Sequence, residues 1–207
     1  MSDQTIQTII PCILNLEILK VTGCYRCNDI SMAELVRAIS KTLKHLDVSN
    51  NSRFGQELIG ALVENCKEKL ESLNIDHSLQ VTGEMIQRLE CLKKLRNISI
   101  SHIQDVNDED INIVLKGIGR QLKGISVAGC HQLTDQTLIN IRENCREIGE
   151  IDLSSIPNFT KIGRYIIIEY IIYNLLSRSI HIRTCRLDGF ICRVEKREIH
   201  RRFLAHN

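Results

Sequence analysis

Residues 122–136 read LKGISVAGCHQLTDQ, and the nine residues that begin this stretch return five more times along the chain. LKGISVAGC (122–130) recurs as LEILKVTGC (16–24), LKHLDVSNN (43–51), LESLNIDHS (70–78), LRNISISHI (95–103) and IGEIDLSSI (148–156). The copies start at 16, 43, 70, 95, 122 and 148, so they follow one another at intervals of 27, 27, 25, 27 and 26 residues. A period this regular is the signature of a stacked repeat architecture.

Each copy carries apolar residues at its first, fourth and sixth places, as in Leu43/Leu46/Val48, Leu70/Leu73/Ile75 and Leu122/Ile125/Val127. The fourth and sixth places alternate with polar residues, which predicts a short strand with one buried face. A helical pattern follows: Leu138, Ile141 and Cys145 are spaced by three and four residues, and Asp135 stands where a helix N-cap is expected. Equivalent triplets are Met32/Leu35/Ile39, Ile59/Leu62/Cys66 and Ile111/Val114/Ile118, with Ile86 and Leu89 in a shortened copy. One strand and one helix in about 26 residues cannot bury their apolar faces alone. Side by side, they build a parallel sheet on one surface and a row of helices on the other. A helix is wider than the strand spacing, so the stack curves with its strands inside.

The consensus L-x-x-L-x-L-x-x-C-x-x-L-T-D-x-x-L-x-x-I-x-x-x-C, tightest over Leu122–Cys145, resembles the cysteine-containing leucine-rich repeat of F-box/LRR proteins and of AMN1-like proteins. The resemblance covers residues 2–160. It implies an α/β leucine-rich-repeat horseshoe, similar to ribonuclease inhibitor, with parallel strands on the concave face and helices on the convex face. It also implies a protein-binding role: substrate recognition of the kind the LRR part of an F-box protein performs in SCF ubiquitin-ligase-dependent degradation. Three other readings stay open. One is an F-box-less regulatory LRR protein that binds a partner without recruiting a ligase. The second is a fragment of a longer repeat protein. The third is an enzyme or zinc protein built on Cys24, Cys27, Cys130 and His131.

The residue expected to decide the last reading is Cys130. It holds the ninth repeat place, whose other occupants are Cys24, Asn51, Ser78, Ile103 and Ile156. A small side chain at a strand-to-loop turn, able to donate to backbone carbonyls, explains that series without catalysis. Cys24 and Cys27 form a C-x-x-C, but no second pair stands at zinc-ribbon spacing, and Cys66, Cys145 and Cys12 read as buried thiols. Asp108, Glu109 and Asp110 read as a solvated first helical turn facing the positive helix end. No H-E-x-x-H, Gly-rich phosphate loop or G-x-S-x-G occurs. No enzyme activity, cofactor or metal is expected.

What remains is a surface. The strand residues that alternate with the buried ones form two columns on the concave face. Lys20, Asp47, Asn74, Ser99, Ser126 and Asp152 make one; Thr22, Ser49, Asp76, Ser101, Ala128 and Ser154 make the other. These residues, Ala128 apart, are the expected binding positions. With Lys20 as their one base, they lack the Lys/Arg stripe that nucleic acid requires. They suit a protein substrate or regulatory partner, including one with basic side chains. The expected state is a monomer.

The ends differ from the middle. SDQTIQTII (2–10) aligns with TDQTLINIR (134–142), so the sequence opens inside a half repeat (2–15) and leaves no room for an F-box before it. An SCF adaptor is a partner only if that module lies upstream. From 161 to 207 there are ten Lys/Arg and four Asp/Glu, and three of the four tyrosines (Tyr165, Tyr170, Tyr173) lie in the same stretch. RYIIIEYIIYNLL (164–176) is apolar all round, and in SIHIRTC (179–185) Ile180, Ile182 and Cys185 match the fourth, sixth and ninth places. Residues 161–207 are thus expected to be a degenerate terminal repeat or cap, a basic tail for a partner or a membrane surface, or sequence appended by a splicing or gene-model error. Nine cysteines without a basic, apolar leader fit reduced thiols in the cytoplasm or nucleus. The longest apolar run is too short for a transmembrane segment.

Overall fold

The computed structural model describes residues 2–13, 15–177, 184–187 and 190–192. Helices and strands alternate along it. They are α1 (Asp3–Ile9), β1 (Ile18–Lys20), α2 (Asp29–Ile39), β2 (His45–Asp47), α3 (Gln56–Asn65), β3 (Ser72–Asn74) and α4 (Gly83–Gln87). There follow β4 (Asn97–Ser99), α5 (Asp108–Ile118), β5 (Gly124–Ser126), α6 (Asp135–Asn144), β6 (Glu150–Asp152), α7 (Lys161–Ser177), β7 (Thr184–Leu187) and β8 (Phe190–Cys192). Strands β1 to β7 pair in parallel in chain order, and β8 returns antiparallel on β7. This is the leucine-rich-repeat solenoid that the repeat spacing predicts.

Register shows why three-residue strands suffice. Leu19 pairs with Leu46, Leu46 with Leu73, Leu73 with Ile98, Ile98 with Ile125 and Ile125 with Ile151. The fourth repeat place thus becomes one continuous apolar ladder. The backbone ladder also outruns the strands: Val48 N donates to Asn74 O (2.9 Å), Ile100 N to Ser126 O (2.9 Å) and Val127 N to Asp152 O (3.0 Å). The first, sixth and helical places close the core from the other side, with Leu43, Val48, Leu62, Ile118, Leu138 and Ile141 fully buried.

At the eighth place the chain turns into the loop through a left-handed residue in every repeat. Gly23, Asn50, His77, His102, Gly129 and Ser155 have φ between 56° and 67°. The shortest interval, from 70 to 95, is accommodated in the helix: α4 has five residues and continues as a 3₁₀ turn, Arg88–Cys91.

Four sequence expectations need correction. The cap of α6 is Thr134, whose hydroxyl accepts from Gln136 N; Asp135 is the first helical residue and reaches forward to the next repeat instead. The acidic first turn of α5 is not simply solvated. Asp110 is 3% exposed and closes a capping box with Asn107, and Asp108 is committed to the following helix. Cys12 is exposed, because its one-residue offset from the Cys145 frame turns it off the core face. Finally, Cys185 pairs with Ile151 at the fourth place, so the last strand lies five residues later than the SIHIRTC reading sets it. Ile180 and Ile182 fall outside the described residues. Phe190–Cys192 (β8) pair antiparallel with β7.

Candidate functional site: the concave sheet face

The fifth and seventh repeat places line the inner face of the sheet and are bonded to one another across repeats. The residues in this network are half-buried or nearly buried, and hydrogen bonds to backbone or to the adjacent strand tie them together. Asp47 Oδ1 accepts from Ser49 N (3.1 Å), and Asn74 Oδ1 from Asp76 N (2.9 Å). Asp152 Oδ1 accepts from Ser154 N (3.2 Å) and Ser154 Oγ (2.6 Å). Between strands, Asp76 Oδ1 accepts from Ser99 Oγ (2.7 Å) and Ser101 N (2.6 Å), and the hydroxyls of Ser101 and Ser126 meet at 2.6 Å. Such residues are presented in set rotamers, so a ligand meeting them loses little further side-chain entropy.

The structure assembles the two expected columns. Lys20 and Thr22 lie exposed at the β1 edge, and Asp47, Asn74, Asp76, Ser99, Ser126, Asp152 and Ser154 are half-buried along the face. Ser49 and Ser101 are each only 5% exposed, as is fitting for residues wedged between neighbours. A groove of about 490 Å³ runs over β3 to β6.

That groove is lined by the fifth-place column and not by the seventh-place one, and by a column which the sequence reading missed: Ser72, Asn97, Gly124 and Glu150, at the third repeat place. The signal was present, since the same alternation extended two residues backwards from the fifth place puts the third place on the same face. With Ile18 and His45 completing the column, one exposed apolar residue and one further base join the surface. At its outer rim Lys44 Nζ contacts Glu17 Oε1 at 2.8 Å, and this bond raises the ammonium above its ordinary pKa.

The cysteine-based site is not assembled. Cys24 and Cys27 belong to the first full repeat and Cys130 to the fifth, four strands away, or roughly 19 Å at 4.8 Å per strand. Among the described residues no three His, Cys, Asp or Glu side chains converge as metal ligands. Cys130 is fully buried and its thiol donates to Ile100 O at 3.2 Å. Burial pushes this thiol up to about 11, away from the thiolate a nucleophile needs. Asn51 makes the fuller version of the same turn. Its Nδ2 donates to Val21 O (2.6 Å) and Val48 O (2.7 Å), and its Oδ1 accepts from Cys24 N (2.6 Å). His131 is exposed on the loop, where its carbonyl accepts from Asn158.

No protein-family profile matches the chain. Over 130 residues it is 27% identical to the DNA repair protein RAD7 of Saccharomyces cerevisiae, across 61% of this chain and 23% of that protein. The chain therefore spans less than a quarter of this curated relative. Yeast Rad7, solved in complex with Elc1, superposes with a TM-score of 0.69 at 23% identity, covering 78% of this chain and 42% of that one. The tropomodulin C-terminal domain of Caenorhabditis elegans gives a TM-score of 0.52 at 11% identity, covering 84% and 94%. Among the described residues no helix is long and apolar enough to cross a membrane. The chain is a leucine-rich-repeat solenoid similar in sequence and in fold to Rad7.

Proposed function

We propose that this chain is a protein-recognition module, not an enzyme, and that its concave face holds a protein substrate or regulatory partner for ubiquitin-dependent turnover. The observation that carries the reading is the hydrogen-bonded array of small polar side chains over β3 to β6, fixed in place beside an open groove. A preorganised polar face of this kind favours binding, and its Asp47, Asp76 and Asp152 carboxylates are already engaged by hydrogen bonds within the sheet. Two likenesses support the ligase context: the repeat consensus shared with F-box/LRR proteins, and the similarity to a protein solved as a complex with Elc1. The DNA repair role of RAD7 favours the nucleus over the cytoplasm as the place of action. The cysteine-containing repeat subclass, the division into repeats at 1–160 with a terminal unit at 161–207, and a monomeric state belong to the same proposal.

The test compares proteins co-purified with the wild-type chain, with an Asp47→Lys/Asp152→Lys variant on the concave face, and with Glu64→Lys on α3. Charge reversal on the concave face is expected to deplete the substrate at least about tenfold, while Glu64→Lys retains it, and a ubiquitin-ligase adaptor stays in all three. Equal recovery of every partner from the concave variant would overturn the recognition surface. If adaptor is absent from all three samples, the F-box-less regulatory reading replaces the ligase one.

A further inference from the structure

The twelfth repeat place, four residues after the left-handed turn residue, is occupied by Phe54, Val81, Val106, Leu133 and Phe159, all buried. In the first full repeat the residue there is Cys27, fully buried, and the ninth place of the same repeat is Cys24, which is half-buried. No other repeat carries two thiols in these places. The backbone between them closes as a turn, Cys27 N donating to Cys24 O at 3.2 Å. A turn of that kind holds the first and fourth Cα atoms within about 7 Å, and disulfides span about 4.4–6.8 Å. The twelfth place is filled elsewhere by valine, leucine or phenylalanine, and in this repeat a second thiol stands there beside the ninth-place one.

We propose that Cys24 and Cys27 form a reversible disulfide when the protein meets a peroxide. Cys24 is the thiol within reach of solvent; Cys27 lies beneath it as the resolving partner. The Cys24 thiolate attacks one peroxide oxygen, the O–O bond breaks, hydroxide leaves, and Cys24 becomes a sulfenic acid. The Cys27 sulfur then attacks the Cys24 sulfur, the S–O bond breaks, and the hydroxyl departs as water with the Cys27 proton. Two thiols are oxidised and one peroxide is reduced to two waters.

The loop that would be cross-linked also ties the first helix to the second. Ser2 bridges to Arg26, and the Asp3 carboxylate accepts from Asn28 N and Nδ2, both at 2.9 Å. Oxidation therefore acts at the seam between α1 and the first full repeat. The site is independent of the concave-face reading.

The experiment treats the reduced, purified chain with a small excess of hydrogen peroxide, alkylates remaining thiols, and maps tryptic peptides without reductant. Trypsin cuts after Lys20, Arg26 and Arg37, so the disulfide joins peptides 21–26 and 27–37 into one species. That species, about 2 Da lighter than its two parts, is expected to vanish with dithiothreitol. In Cys27→Val, which installs the residue of the equivalent places 81 and 106, Cys24 is expected to proceed to sulfinic acid for want of a resolving thiol. The proposal is overturned if 21–26 and 27–37 stay unlinked while Cys12 oxidises, if Cys24 pairs with another cysteine, or if Cys24 stays reduced in a folded Cys27→Val.

Discussion

Asp108, the first residue of α5, caps a helix that is not its own: its carboxylate accepts from the backbone amide (2.9 Å) and hydroxyl (2.6 Å) of Thr134, the N-cap of α6. It accepts from Thr137 N (3.1 Å) as well. The pattern repeats along the stack. Asp3 takes the amide of Asn28, Asp135 that of Thr160, and Asp29 those of Gly55, Glu57 and Leu58. The Asp29 case is the most telling, because α3 has Gly55 at its N-cap and no capping side chain of its own. The starts of α2, α3, α6 and α7, with their positive ends and unpaired amides, are thereby fastened to the previous repeat.

Removing one such clasp should loosen an interface as well as a helix. Asp29→Ala strips three amides of their acceptor and is expected to cost about 1–3 kcal/mol. Urea unfolding would show a lower midpoint at unchanged slope. A loss under about 0.3 kcal/mol would mean that water replaces the carboxylate.

The ninth repeat place offers a contrast within a single position. Asn51→Ala leaves Val21 O, Val48 O and Cys24 N short of a partner, so a loss of about 2–4 kcal/mol is expected. Ser78, equally buried at the next equivalent place, has a hydroxyl without a hydrogen-bond partner. Ser78→Ala should then be neutral or stabilising by up to about 1 kcal/mol. Equal losses for the two variants in thermal unfolding would contradict this account of the turn.

At the eighth place, Gly129 has φ +67°, and a Cβ there would run into the His102 ring, which stacks on His77 with centroids 4.2 Å apart. Gly129→Ala is expected to cost about 1–2 kcal/mol from the left-handed backbone and a further fraction from the displaced ring. Made in a His102→Ala background, the same change should cost measurably less. A double-mutant cycle with no coupling would show that the ring simply moves aside.

The buried thiols give stability a dependence on pH. Desolvation pushes Cys66 and Cys130 to about 11 and Cys145 to about 12, from an ordinary value of 9.0. The unfolded chain ionises first, so it releases protons that the folded chain keeps. The thiol contribution is therefore fully present below about pH 9 and is lost as pH rises from there through 11 and 12. Chemical unfolding between pH 8 and 11 should show this fall, and Cys145→Ala should make it shallower. Native-state alkylation near pH 8 should modify Cys12 rapidly and leave Cys66, Cys130 and Cys145 protected.

The repeat was legible because its period is imposed by stacking: Leu19, Leu46, Leu73, Ile98, Ile125 and Ile151 must be apolar to sit on one another. The concave columns followed from alternation alone. The clasping role of Asp108 and Asp135 was not legible, because an acid in a first helical turn looks the same whether it faces water or the next repeat. Nor was the register of β7. Ile180 and Ile182 fit the motif as well as Cys185 and Leu187 do, and only the pairing with Ile151 and Asp152 decides between them. The third concave column was missed because the reading stopped at the fourth place, although Asn97 and Glu150 are more exposed than most residues in the other two.

The most direct test of the recognition claim is site-specific photo-crosslinking in cells, with the probe at Asn97 on the concave face or at Glu64 on the convex side. Discrete protein adducts are expected from position 97, lost when Asp152→Lys is added, and none from position 64. Adducts from position 64 alone, or adducts from 97 indifferent to Asp152→Lys, would contradict the recognition claim.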